Sequence, residues 1–154
     1  MDFVLKVTWS GDCMDQNLIN QLLALPGEDL HLKKGDFLFH EGDKAEYFYV
    51  VVKGRMSIKK FEASGHIFAL RLVGPNNVIG EVPLYEEGTK TYVFNAIARE
   101  DCSVYCIRYD LLEAAIAKDH SLSIAMMKIY TLHMRRQQAK YRDLLLYGKK
   151  GAFY

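Results

Sequence analysis

No run in the chain approaches the roughly 18–20 apolar residues that a membrane-crossing helix needs. The opening MDFVLKVTWSGDCMDQ carries acidic residues where an export signal would carry a long apolar region. Both absences point to a cytoplasmic chain with no membrane partner. Cysteine is scarce, with only Cys13, Cys102 and Cys106. An odd count closes no disulfide framework, which suits a reducing compartment, and the spacing is not that of a zinc or iron–sulfur ligand set. Cys102 and Cys106, four apart in an alternating stretch, fall on one side of a strand, where ordinary packing and a redox or metal role are the alternatives.

Catalytic patterns are missing as well. The five histidines, His31, His40, His66, His120 and His133, form neither H-x-H nor H-E-x-x-H, the spacings that put two imidazoles on one metal. No Gly-rich phosphate loop or dinucleotide fingerprint occurs, and no serine, histidine and carboxylate are spaced as a nucleophile with its base. The expectation is a protein that is not an enzyme, with no metal and no cofactor.

What is present is one domain's worth of chain: 154 residues, half hydrophobic and a quarter charged, which excludes a disordered tail or a coiled-coil rod. The formal charge is +1, but it is unevenly spread. Residues 1–119 hold 13 basic and 18 acidic side chains, whereas residues 120–154 hold 7 basic and 1 acidic. Lys128, Arg135, Arg136, Lys140, Arg142, Lys149 and Lys150 read as a solvated basic face. It gives a mild bias toward nucleic acid through counterion release and no means of reading bases.

The periodicity changes twice. Leu18, Ile19, Leu22 and Leu23 mark a short helix capped by Asp15 and ended by Pro26-Gly27. From residue 30 to about 110, short apolar or alternating segments are punctuated by Gly35, Gly42, Gly54, Gly65, Gly74, Gly80 and Gly88. That is the texture of antiparallel strands in a sandwich or barrel, with no room for βαβ crossovers. Tyr92 to Ala98 reads as one of the strands, and Lys53-Gly54 and Ser64-Gly65 read as hairpin turns. After Arg108, Asp110 caps a short helix through Ile116, and Asp119 or Ser121 starts a longer one. Leu122, Ala125, Ile129, Leu132, Arg136, Ala139, Asp143 and Leu146 recur at alternating three- and four-residue steps, a heptad-like seam. Met126, Met127, Tyr130, Met134 and Tyr141 make a second stripe. One helix cannot bury both stripes against its own body, so a homodimer through the long helix is expected; the alternative is a helix lying wholly on its own domain.

One loop stands out. In residues 76–92, Gly80 follows an apolar pair, Glu81 stands directly behind it, and a turn bearing Pro83 and Gly88 follows. Exposed backbone N–H groups there suit an anion, and Glu81 suits a sugar hydroxyl.

In order and spacing, KGDFLFHEGD (34–43), YFYVVVKGRMSI (47–58), VIGE (78–81), LYEEG (84–88) and the long helix resemble the cyclic-nucleotide-binding domain of the catabolite-activator and fumarate-nitrate-regulator superfamily of bacterial transcription factors. The resemblance covers residues 25 to 154 and looks nearest to divergent regulators of Gram-positive bacteria. It implies a mainly β fold, a double-stranded β-helix jelly roll with flanking short helices and a long C-terminal dimerisation helix. It divides the chain into an effector body over 1–118, a dimerisation helix over 119–146, and over 147–154 the start of a hinge, LLLYGKKG resembling the passage into a winged helix-turn-helix domain. DNA would be contacted only through that further domain.

Members that bind nucleotide resemble G-E-L/I…R-S/T-A, with the Glu on the ribose 2′-OH and the Arg on the cyclic phosphate. Gly80 and Glu81 match, followed by Val82. Thr91 falls on the arginine position and Tyr92 on the small hydroxyl position, with Val93 in place of the alanine. A Thr hydroxyl supplies neither the charge nor the fork that a buried phosphate calls for, and Tyr92 fills space. Positions that contact adenine in cyclic-AMP sensors fall near Gln137 and Gln138. The expectation is therefore a sensor and dimerisation domain of a bacterial regulator whose small-molecule effector is not cyclic AMP. The alternatives are a nucleotide-binding module using unusual phosphate contacts, and a stand-alone protein-interaction module.

Overall fold

The computed structural model describes residues 14–148. Cys13 and most of the 147–154 hinge lie outside the described residues. The first helix, α1 (Gln16–Leu23), begins where the Asp15 carboxylate accepts the Asn17 N–H at 3.1 Å, and it buries Leu18, Ile19 and Leu22. Each such aliphatic side chain contributes about 1.5–3 kcal/mol when fully buried, which fixes a helix too short to persist alone.

Eight strands follow: β1 (Glu28–Leu32), β2 (Phe37–Phe39), β3 (Tyr47–Lys53), β4 (Met56–Phe61), β5 (Ile67–Val73), β6 (Asn77–Ile79), β7 (Asn95–Ala98) and β8 (Cys102–Arg108). They form two four-stranded antiparallel sheets, ordered β1-β8-β3-β6 and β2-β7-β4-β5, as the jelly-roll expectation requires. Tyr49 pairs with Cys106 and Val51 with Val104, facing the second sheet, where Phe39 approaches Tyr49. The alternate residues Phe48 and Val50 are buried on the other face of β3, where helices pack. Both faces of β3 are covered, which is why YFYVVV reads as a continuous apolar run rather than an alternation.

Two turn readings separate here. Ser64-Gly65 does close the β4–β5 hairpin, with Glu62 N–H donating to the His66 carbonyl at 2.9 Å. Lys53-Gly54 is not a hairpin turn, because β3 and β4 lie in different sheets. Gly54 sits at φ +82°, and a Cβ there would meet the Asp101 carbonyl oxygen at 2.4 Å. The glycine serves a close crossing between sheets. The strand expected from Tyr92 to Ala98 shortens to β7, and Thr91 makes only an isolated bridge to Lys44.

Helix α2 (Tyr109–Lys118) starts one residue before Asp110 and runs past Ile116. Asp110 is therefore not its cap; it lies in the first turn, accepts the Leu111 N–H at 2.8 Å and pairs with Arg108. Helix α3 (His120–Asp143) is capped by Asp119, whose carboxylate accepts from Ser121 N and Leu122 N, and it leads into a π-helical turn at Leu144–Gly148. Leu122, Met126 and Ile129 are buried on the chain's own body.

The residues expected in the seam divide by their burial on the single chain. Leu122 and Ile129 face inward, and Ala125, Leu132 and Arg136 are half-buried rather than displayed. The outward face carries Ile124, Met127, Thr131, Met134, Gln138, Tyr141 and Leu145, again at alternating three- and four-residue steps, with Met127 and Met134 each 62% and Tyr141 66% exposed. No helix among the described residues is long and apolar enough to cross a membrane.

Candidate ligand-binding site

Strand β6 delivers Gly80 and Glu81 to the junction between the β body and α3. Gly80 sits at φ +91°, and a Cβ there would lie 3.0 Å from the Tyr47 carbonyl oxygen. Glycine alone suits both the backbone and the space. The Tyr109 hydroxyl, at the start of α2, donates to the Gly80 carbonyl at 2.5 Å. The next carbonyl, that of Glu81, accepts from the Tyr130 hydroxyl of α3. Two tyrosines thus pin the backbone so that the Glu81 side chain turns inward, only 1% exposed.

Inside, Glu81 Oε1 lies 2.9 Å from His133 Nδ1, also on α3. Arg71 of β5 bonds the same imidazole and donates to the Val78 carbonyl at 2.7 Å. The His133 imidazole thus stands between the Glu81 carboxylate and the Arg71 guanidinium. Both Glu81 carboxylate oxygens are buried. Burial by itself pushes the Glu81 carboxyl up, but the His133 hydrogen bond and the Arg71 charge outweigh it and hold the group below its usual range. Burial pulls the Arg71 guanidinium down, Glu81 opposes that, and Arg136 adds to it. One further cation stands close by. Lys140 is pulled down to about 8, first by burial and then by the like charges of Arg71 and Arg136.

The loop after Glu81 is tied elsewhere. Lys90 donates to the Leu84 carbonyl at 2.5 Å and pairs with Glu113 of α2 at 2.7 Å. Thr91 is half-buried and hydrogen-bonded to no charged group. Tyr92 is buried: its ring stacks on Phe39, and its hydroxyl donates to the Tyr47 carbonyl at 2.8 Å and lies 3.3 Å from the Tyr49 hydroxyl.

Of the residues singled out in the sequence, Gly80 and Glu81 reach the centre and Tyr92 packs in the body beside it. Val82 is exposed. Gln137 and Gln138 are exposed and line a groove of about 610 Å³ with Leu70, Lys140, Tyr141 and Arg142. Sequence reasoning missed Arg71, Tyr109, Tyr130, His133 and Lys140. A partial signal existed in the polar turn of α3's inward stripe, where Ile129 is followed at helical spacing by His133, Arg136 and Lys140. Cys102 and Cys106 are free and buried, and burial, with Glu28 and Asp29 nearby, pushes the Cys106 thiol up to about 11. A thiol held protonated at neutral pH favours packing over redox chemistry.

Comparison with known proteins agrees with this geometry. The family model of the cyclic nucleotide-binding domain matches residues 29–119. The anaerobic regulatory protein of Bacillus subtilis is 36% identical over 144 residues, covering 91% of this chain and 60% of that protein. A CRP-like cAMP-activated global transcriptional regulator of Mycobacterium tuberculosis is 22% identical over 112 residues, covering 73% and 49%. The chain thus spans about half to three-fifths of the curated relatives it matches. Among solved structures, the c-di-GMP responsive global regulator CLP of Xanthomonas campestris superposes with a TM-score of 0.73 at 22% identity, covering 86% of this chain and 66% of that one. The catabolite activator protein of Thermus thermophilus gives 0.69 at 23%, covering 86% and 59%. At these identities the structures establish the fold.

Proposed function

The chain belongs to the cyclic-nucleotide-binding domain family, and from that premise we propose that it is the sensor and dimerisation domain of a bacterial transcriptional regulator whose effector is not cyclic AMP. The observation that carries the reading is Tyr92. Where the family pattern calls for a small hydroxyl residue beside a phosphate-binding arginine, this chain has a buried phenol stacked on Phe39 and bonded to Tyr47, with Thr91 next to it. A cyclic phosphate entering there would displace a packed ring and find no guanidinium.

Sensing in this reading runs through α3. Tyr130 and His133 both touch Glu81, so a ligand that engages Glu81 acts on the helix directly. The helix offers the face Ile124-Met127-Thr131-Met134-Gln138-Tyr141-Leu145 to a second copy, and a shift of paired helices would reposition DNA-binding segments outside this chain. Residues 1–118 then serve as the effector body and 119–146 as the dimerisation helix. The B. subtilis relative, a regulatory protein by name, supports this placement.

The test is a double substitution. Thr91→Arg with Tyr92→Ser restores the family's cassette, and calorimetry should show cyclic AMP binding in the variant at least tenfold tighter than in the parent chain. A parent that already binds as tightly as the variant contradicts the reading.

A further inference from the structure

We propose that the groove between α1 and α3 is the seat of this chain's own residues 3–9, laid along it as an extended segment with Trp9 shielded. The groove encloses about 790 Å³, and its apolar lining is Met14, Leu18, Ile124, Ala125, Ile129 and Leu132. Leu18 and Ile129 form the floor, whereas Ile124 is 40% exposed. Gln21 ties the two walls together by donating to the Ser121 hydroxyl at 3.1 Å. An apolar strip left open between polar rims marks a surface that receives a partner. Met127 and Met134 stand outside the groove, so a second copy paired through them leaves it open.

The neighbouring chain supplies the occupant. Met14, the first described residue, is 7% exposed, lines the groove and donates its N–H to the Asn76 carbonyl at 3.2 Å. Residues 1–13 therefore join the body at the wall of the groove itself. Their pattern fits an apolar strip. Phe3, Leu5, Val7 and Trp9 alternate with Val4, Lys6, Thr8 and Ser10, the period of an extended segment with one apolar face. Ser10-Gly11-Asp12 is a turn signal between that segment and Met14. The lengths agree: an extended chain from Phe3 to Trp9 covers about 20 Å, and α3 rises about 18 Å from His120 to Leu132. Charge agrees as well. Lys128 on the rim has no ion pair among the described residues, and the segment is flanked by Asp2 and Asp12. Docked there, it braces α3 against α1 whatever the effector is.

Trp9 is the chain's single tryptophan, so its fluorescence in the full chain reports the docking directly. Acrylamide should quench it at least threefold less in the native chain than in urea. Two variants release it from opposite sides: Ile124→Glu in the groove, and Phe3→Asp with Leu5→Asp on the segment. Each should return Trp9 to quenching as strong as in urea, with the helical circular dichroism and the melting transition of the body retained. Because the second variant changes no described residue, it tests the segment even where Ile124→Glu perturbs α3. Met127→Glu with Met134→Glu, off the groove, should leave Trp9 shielded in a sample that light scattering reports as monomer. A native Trp9 quenched as readily as in urea overturns the proposal. Shielding that survives Ile124→Glu or the Phe3 and Leu5 pair overturns it too, since the segment would then sit elsewhere. Shielding lost in the monomeric variant would put the segment on a second copy and overturn its seat on its own chain.

Discussion

Tyr92 lies flat on Phe39, with ring centroids 3.7 Å apart and planes 10° from parallel. The stack joins the segment after the Glu81 loop to β2. Truncating a buried aromatic leaves a cavity, so Tyr92→Ala should cost about 3–5 kcal/mol in urea unfolding. Tyr92→Phe, which keeps the stack and loses the bond to the Tyr47 carbonyl, should cost about 1 kcal/mol. Equal costs for the two would mean that the ring does not fill the site.

The Glu81–His133 contact joins the β body to α3 at 2.9 Å. Leaving a buried acceptor without its partner costs about 1–3 kcal/mol, and His133→Ala should fall in that range. The sign with pH follows from the lowered Glu81 carboxyl. A depressed acid stabilises the fold above its unfolded pKa, and the contribution is lost as pH falls through the lower folded value. Urea midpoints taken from pH 7 down to pH 3 should therefore drop less steeply in His133→Ala than in the parent.

Lys140 works in the opposite sense. Its folded pKa of about 8 lies below the ordinary 10.5, so the unfolded chain holds the proton more tightly. Its charge is a burden below pH 8, and that burden fades between pH 8 and 10.5. Lys140→Met should raise the melting temperature at pH 7, and the gain should shrink toward zero by pH 10.5. A gain that does not change with pH would remove the charge from the explanation.

The outward face of α3 predicts a clean division between assembly and folding. Met127 and Met134 are 62% exposed while Leu122 is 2% exposed. Burial of each methionine in a helix pair contributes about 1.5–3 kcal/mol, so Met127→Glu with Met134→Glu should weaken the dimer at least a hundredfold. Light scattering should then report a folded monomer. Leu122→Glu, by contrast, should unfold the body.

The strands were legible because glycines and alternating side chains mark them, and the long helix because Asp119 caps a sustained helical period. Its orientation was not. Leu122, Ile129 and Leu132 fall on a heptad as good as the one through Met127 and Met134, and only the docked body decides which faces inward. Lys53-Gly54 looked like a hairpin turn because local sequence does not record that the next strand enters the other sheet. In the site, Gly80, Glu81, Thr91 and Tyr92 could be read from a contiguous pattern. Arg71 and His133 could not, since they reach Glu81 from 10 residues before it and 52 after it, through a sheet edge and a helix face that only folding brings together.

The most direct measurement is calorimetric titration of the unmodified chain with cyclic AMP, with the molar mass of the same sample taken by light scattering. The account predicts a folded dimer that gives no saturable heat. Saturable micromolar binding of cyclic AMP would contradict it and would mean that the cations around Glu81 take over the work of the missing arginine.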